Sequence, residues 1–204
     1  MPITALTPRS FEQMQLNAGV FLVDFDHSTY ETPDALTAAV LAALDTGDKL
    51  LGATIGGGSF QATPTMRQIE VDGKRFEFPG SSVNDGWTVK LTGTMKEITP
   101  ENFARALPGA QAPTVTGNRT VIRVKNDIKA SDYIPKLCWV GDISGGGFVL
   151  IEITSALNLT GANFTFTDKG EGTLPFEFQA HQSSMTDVEY APVQIVFLKP
   201  PSTP

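Results

Sequence analysis

The stretch Trp87-Thr88-Val89-Lys90-Leu91-Thr92-Gly93-Thr94-Met95 alternates apolar and polar residues, and it is the longest run of this kind in the chain. A period of two is typical of a β-strand that buries one face and exposes the other. Downstream of it, further segments rich in β-branched and aromatic residues are predicted as strands, at 119–124, 137–142, 147–154, 162–167, 173–183 and 193–199. Together with the strands predicted upstream, this indicates a mainly β protein with nine or ten strands, a β-sandwich or barrel.

Two helices are predicted beside these strands. In the first, Thr32 is a suitable N-cap, Pro33 fits the first helical position, and Gly47 ends the helix. Its apolar residues recur at helical spacing and form one stripe, at Leu36, Ala39, Val40, Ala43 and Leu44. The second helix starts with the same cap-and-proline pattern at Thr99-Pro100 and ends at Pro108-Gly109.

Upstream of the quoted strand, Val20–Phe25 is predicted as a buried strand, and Gly56–Gly58 as a turn that enters a strand at 59–63. Pro64 and Pro79 bracket a segment with a turn signal at Asp72-Gly73, which predicts a short hairpin. The residues that follow it, 81–86, are predicted as a loop. We treat 64–86 as one long, extended hairpin loop.

Size and charge restrict the possibilities further. The chain has 204 residues and a formal net charge of −7, from 15 basic and 22 acidic residues. We expect a single domain over 1–204, with an N-terminal arm at 1–18 and a flexible tail at 199–204. A strongly acidic chain is poorly suited to gripping nucleic-acid phosphates. No apolar run is long enough for a membrane span and no signal peptide is recognisable, so we expect synthesis in the cytoplasm and no membrane contact.

The sequence contains little that indicates a catalytic or metal-binding site. Cys138, the single cysteine, excludes an internal disulfide; as a nucleophile it would need His27 or His181, and a buried inert thiol is the preferred interpretation. Asp24, Asp26 and His27 could cluster at a strand end as a weak set of metal ligands, but the solvated end of a strand is the preferred interpretation. Gly56–Gly58 is followed by Ser59-Phe60 and not by the Lys-Ser/Thr pair of a phosphate-binding loop. We therefore expect no enzyme activity, no catalytic residue, no metal and no cofactor.

An ordered series of short blocks resembles one known family. Arg123–Tyr133 is followed by Leu137-Cys138-Trp139-Val140-Gly141-Asp142, and later by Phe166-Thr167-Asp168-Lys169-Gly170. Earlier in the chain, 51–57 and 87–94 fit the same series. The series, which spreads over about 17–198, resembles the major tail tube proteins of long, non-contractile phage tails. Trp139 stands alone where that family often has two tryptophans.

The resemblance implies a tail tube fold: a β-sandwich subunit with flanking helices that forms hexameric rings, which stack into the tube that conducts DNA during ejection. It implies a virion protein assembled in the host cytoplasm. Its partners would be further copies of itself, a tape-measure protein, a tail-tip or initiator complex and a tail terminator. Double-stranded DNA would pass through without specific binding.

Two sets of residues are candidates for these roles. For contacts between rings we select the apolar residues of the extended hairpin loop, Met66, Ile69, Val71, Phe76 and Phe78. The alternative is an ordinary edge hairpin that folds back on its own sandwich. For an acidic lumen that repels phosphates, the strand-associated acids are candidates, Glu70, Glu77, Asp85, Glu97 and Glu152. The arm and the tail are further candidates for contacts made on assembly.

Other functions remain open from the sequence. The inner tube of a contractile tail or of an injection system belongs to the same class. A carbohydrate-binding β-sandwich of the virion is a different class, for which Trp87, Trp139 and the thirteen phenylalanines would supply an aromatic platform. Aromatic residues that alternate along strands are more often core. An enzyme is the third possibility.

Overall fold

The computed structural model describes residues 8–47, 49–185 and 189–199. It is mainly β, as predicted, with a large antiparallel sheet and two α-helices, α1 (Pro33–Thr46) and α2 (Pro100–Ala106). The strands are β1 (Val20–Val23), β2 (Thr54–Gln68), β3 (Ser82–Met95), β4 (Thr114–Thr116), β5 (Arg119–Val121), β6 (Ile134–Asp142), β7 (Phe148–Asn158), β8 (Leu174–Gln179) and β9 (Val193–Leu198). Short 3-10 helices lie at Pro8–Glu12, His27–Thr29 and Ala130–Asp132.

Strand β7 connects two layers. Its first part pairs with β6 on one side and β9 on the other, and β1 completes this first layer beside β6. Its last two residues, Leu157 and Asn158, pair instead with β8, which leads to β3 and then β2 in the second layer. Between the two parts, Ser155 has a φ of 44°, a left-handed conformation that bends the strand. The two layers form a β-sandwich.

The main core lies between the layers. Phe21 of β1 meets Phe176 of β8 edge to face, with ring centroids 5.2 Å apart. Leu91, Leu137, Ile153 and Phe178 are buried in the same cluster. Each such side chain contributes about 1.5–3 kcal/mol relative to leaving it in water, so this cluster stabilises the contact between the layers.

A second apolar cluster covers the other face of the first layer. Leu36 and Ala43 of α1 pack there with Leu22, Cys138 and Leu150. The helix forms where the sequence predicts it: the Thr32 hydroxyl accepts a hydrogen bond from the Ala35 amide at 3.3 Å, and Gly47 ends the helix with a φ of 70°. The order of layers is therefore helix, first sheet layer, second sheet layer.

The segment 54–86 differs from its prediction. The strands of the hairpin are the long β2 and β3, and Asp72-Gly73 lies inside the connecting loop 69–81. Gly56–Gly58 belong to β2 rather than to a turn; Gly56 and Gly57 have positive φ, and the register with β3 shifts between Thr54 and Gly58. Residues 82–86, predicted as a loop, are the first part of β3 because each finds a ladder partner or bulge position opposite β2.

The predicted strand 162–167 does not form. Only Thr165 makes a ladder contact there, an isolated bridge to Thr173. Phe164 instead turns towards α2 and packs against Phe103, with ring centroids 5.4 Å apart, so core packing fixes this segment as a loop.

The predicted arm is described from Pro8 onward, and Gln15 forms a bridge with Ile143. Residues 1–7 of the arm and 200–204 of the predicted tail lie outside the described residues. In the part of the chain that the structure describes, no helix combines the length and the apolar character needed to cross a membrane.

Candidate functional site

The β2–β3 hairpin extends past the rest of the sandwich. Strand β3 pairs with β2 from Ser82 to Met95, but β8 pairs with β3 only from Lys90 onward. Every residue of 63–80 is exposed except Lys74, which is half-buried. The distal half of the hairpin is therefore a two-stranded projection whose two faces both reach solvent.

Lys74 organises the end of this projection. Its ammonium group donates to the Ile69 carbonyl at 3.0 Å, to Glu77 Oε2 at 2.7 Å and to Ser81 Oγ at 3.3 Å. The hydrogen bond from Lys74 lowers the pKa of Glu77. The lysine points into the loop, whereas the apolar side chains of the loop are exposed, and Phe76 is 75% exposed.

All five predicted contact residues lie on this projection and are exposed, Met66, Ile69, Val71, Phe76 and Phe78. A further exposed apolar residue of the projection is Trp87, which pairs with Pro64; the sequence suggested it only for an aromatic platform and not for a contact between rings. Trp87 shares a strand face with the buried Val89 and Leu91. Its alternation pattern is that of a core residue, and nothing in the sequence indicates that the opposite layer ends before it.

The outer face of the second layer is polar. Strand alternation places mostly hydroxyl and amide side chains there, at Ser59, Gln61, Thr63, Thr88, Thr92, Thr94 and Gln179. Ser59 Oγ and Thr92 Oγ1 lie 2.7 Å apart. The charges on this face are paired, with Lys90 Nζ 2.7 Å from Glu177 Oε1 and Arg67 Nε 3.0 Å from Asp85 Oδ2. Glu177 is an acid of this face that is not among the predicted lumen acids.

The structure does not bring the five candidate lumen acids together. Glu70 and Glu77 lie in the 69–81 loop, while Glu97 follows β3 and accepts a hydrogen bond from the Ala53 amide at 3.0 Å. Asp85 alone sits on the polar face.

Glu152 requires a correction. It is only 4% exposed, because it shares the face of β7 that carries Leu150 and is covered by the helical layer. Its Oε2 lies 3.3 Å from His27 Nε2, and its Oε1 lies 3.7 Å from Lys136 Nζ. A carboxylate buried in this way does not face an aqueous channel.

The polar residues near His27 have structural roles. Asp26 caps the 3-10 helix through Ser28, whose side-chain and backbone hydrogen bonds lower the pKa of Asp26. Among the residues at 8–47, 49–185 and 189–199, no group of three or more His, Cys, Asp or Glu is arranged to hold a metal ion. Cys138 is buried, as predicted, and desolvation raises its pKa to about 12.

In comparisons with known proteins, no family model matches the chain and no curated protein is significantly similar to it. Function is therefore inferred from the projecting hairpin and the polar face.

Proposed function

We propose that the chain is a non-catalytic structural subunit that forms hexameric rings, and that these rings stack into the tail tube of a phage with a long, non-contractile tail. The subunit would be assembled in the host cytoplasm and reside in the virion. The observation that carries the proposal is the projecting β2–β3 hairpin, which has an open edge, two exposed faces and an outward-facing apolar end. The resemblance of the sequence blocks supplies the kind of assembly.

The open edges favour a ring. Strand β2 ends the order of strands in the sheet, so one edge of the second layer is free. At the other edge, β8 pairs with β7 at two positions and the Glu177 amide donates to Asn158 Oδ1 at 3.2 Å, so this edge is only partly open. Exposed edge strands invite pairing with another chain. Since the two edges differ, pairing one copy's β2 with the next copy's β8 is a head-to-tail contact, and such contacts form a ring when the rotation between neighbouring copies closes.

In such a ring, the polar face of the second layer lines the channel. The Lys90–Glu177 and Arg67–Asp85 pairs neutralise each other locally, so the cations on this face are already occupied. Phosphate binding depends on cations that are free to replace counterions. A lining of hydroxyl and amide groups with paired charges allows double-stranded DNA to pass through the channel without being bound.

The projecting hairpin then reaches the next ring. Burying a phenylalanine side chain contributes about 1.5–3 kcal/mol, so Phe76 and Phe78 repeated around a ring provide a strong axial contact. The contacts with a tape-measure protein, an initiator complex and a terminator follow from the resemblance.

Sedimentation velocity of the purified full chain over a concentration series tests the proposal. We expect a species that contains six copies of the 21.9 kDa chain, and multiples of it as concentration rises. A chain that stays monomeric at every concentration, also after purified tail-tip complex is added, would contradict it.

A further inference from the structure

A second projection leaves the sandwich between α2 and β6. Residues 109–125, which we call the basic ribbon, form an antiparallel pair of segments that includes β4 and β5. Its base is closed by hydrogen bonds from the Lys125 amide to the Gly109 carbonyl at 2.9 Å and from the Gln111 amide to the Arg123 carbonyl at 2.8 Å. The ribbon turns at Gly117, which has a φ of 61°.

Packing against the rest of its own chain stabilises the ribbon only a little. All residues of 114–120 are exposed, and Val115 is 70% exposed. Neither β4 nor β5 contributes to the two core clusters of the described residues. An isolated two-stranded ribbon is at best marginally stable in water. A contact along one of its faces would therefore stabilise it.

The charge of the ribbon is opposite to that of the protein. It carries Arg119, Arg123 and Lys125 and no acidic residue, although the whole chain has a net charge of −7. Within the described residues, none of these three cations forms an ion pair. Three free cations on one projection indicate that the partner is acidic.

The same chain presents an acidic surface. Residues 24–47, here the acidic helical layer, comprise α1 and the segment before it and contain no Lys or Arg. Their carboxylates are all exposed, at Asp24, Asp26, Glu31, Asp34 and Asp45. Asp34, Leu41 and Asp45 lie on one side of α1, because they are spaced by seven and four residues. Leu41 is more than half exposed, so this surface combines carboxylates with an apolar side chain.

We propose that the basic ribbon docks on the acidic helical layer of a second copy of the chain. The contact joins opposite charges, and the valines of the ribbon meet the exposed leucines of α1. Because the two surfaces differ, the contact is head-to-tail and can repeat around a ring or along a tube. The proposal takes from the proposed function only that copies of the chain associate. A second copy is favoured over a nucleic acid because the net charge of the chain repels phosphates.

Charge reversal on each surface tests this contact. The ribbon variant is Arg119→Glu with Arg123→Glu, the layer variant is Asp34→Lys with Asp45→Lys, and the swapped variant carries all four changes. Self-association of the full chain is measured by sedimentation velocity at low and high salt. We expect each two-site variant to associate on the order of a hundredfold more weakly than the wild type, since like charges then face each other.

Restoration is the decisive part of the experiment. The swapped variant, and an equimolar mixture of the ribbon and layer variants, both bring opposite charges together again and regain association. Circular dichroism confirms that each variant is folded. Lys169→Glu, a reversal at an exposed residue outside both surfaces, leaves association unchanged.

Four results would overturn the contact. The first three are two-site variants that associate as strongly as the wild type, a folded swapped variant and a mixture that do not regain association, and a wild type that is monomeric at every concentration. The fourth is binding of a labelled DNA duplex that the ribbon changes abolish while self-association is unaffected. If the charge-reversed variants still form hollow tubes, the ribbon contact is refuted and the proposed tube function is not. If association depends on these charges but the oligomers never form rings, the proposed tube function is refuted and the ribbon contact is not.

Discussion

The surroundings of Cys138 determine the ionisation and the reactivity of its thiol. It lies on β6 in the cluster beneath α1, where desolvation raises the pKa of its thiol from 9.0 to about 12. The sequence predicted a buried thiol because Cys138 stands between Leu137 and Trp139 in a strand-like segment. Reactive cysteines need an accessible thiolate, and Cys138 has neither the exposure nor the charge.

We expect Cys138 of the folded chain not to react with a thiol reagent at pH 8, and to react fully, with one thiol per chain, after unfolding. Because its pKa is higher in the folded state, the unfolded state loses the proton first, and stability falls as pH rises from about 9 towards 12. The absorbance of the chromophore that the reagent releases measures how much of the thiol has reacted. Rapid labelling of the native chain would contradict this account.

Gly93 is required by its neighbour on the next strand. It pairs with Phe176, and a Cβ at Gly93 would lie 2.6 Å from the Phe176 ring. We expect Gly93→Ala to lower the free energy of unfolding by about 1–3 kcal/mol, because the buried ring must move. Denaturant unfolding measures the change.

Gly86 on the same strand is the matched control, since its added Cβ meets open space and its φ is not positive. Gly86→Ala is expected to change stability by less than about 0.5 kcal/mol. Equal effects at Gly86 and Gly93 would refute the packing explanation.

At the scale of elements, local signals predicted the helices well and the hairpin poorly. The ends of α1 follow from Thr32, Pro33 and Gly47, whose caps act within one turn of the helix. The extent of β2 and β3 depends instead on pairing between residues far apart in sequence, such as Gln68 with Ser82 and Thr54 with Met95. The Asp72-Gly73 signal correctly indicates a turn, yet a local turn signal does not fix the length of the strands around it.

The projecting hairpin gives a prediction for assembly. We expect Phe76→Ala with Phe78→Ala to leave folding and stability of the single chain unchanged, because both rings are exposed, and to shorten tubes and reduce their yield. Electron microscopy with length measurement checks this. Phe166→Ala is the control, since Phe166 is 78% exposed but lies outside the hairpin. Unchanged tubes in the double variant would refute the axial contact.

At the scale of the whole molecule, the positions of the charged side chains matter more for lining a channel than the net charge does. The position of an acidic lumen could not be predicted from the sequence: Glu152 is buried, three of the other candidates lie off the polar face, and Glu177 was not among the predicted lumen acids. Which face of a strand an acid occupies depends on register, and which face meets a channel depends on neighbouring copies. The mainly β class, by contrast, follows from alternation and turn residues alone.

The proposed polar lining of the channel can be tested on assembled tubes. Wild-type tubes are expected not to retain a short DNA duplex, whereas Thr63→Lys with Thr88→Lys places free cations on the polar face and causes salt-sensitive retention. Cosedimentation of tubes with the duplex measures it. Thr167→Lys, at an exposed position off this face, should behave as the wild type. Equal retention by both variants would show that the polar face does not line the channel.

The central claim is that copies of this chain build a hollow tube. Negative-stain electron microscopy of the purified full chain over a concentration series, with and without tail-tip complex, tests it most directly. We predict six-membered rings and hollow tubes built from stacked rings. Single particles or solid aggregates under every condition would contradict the claim.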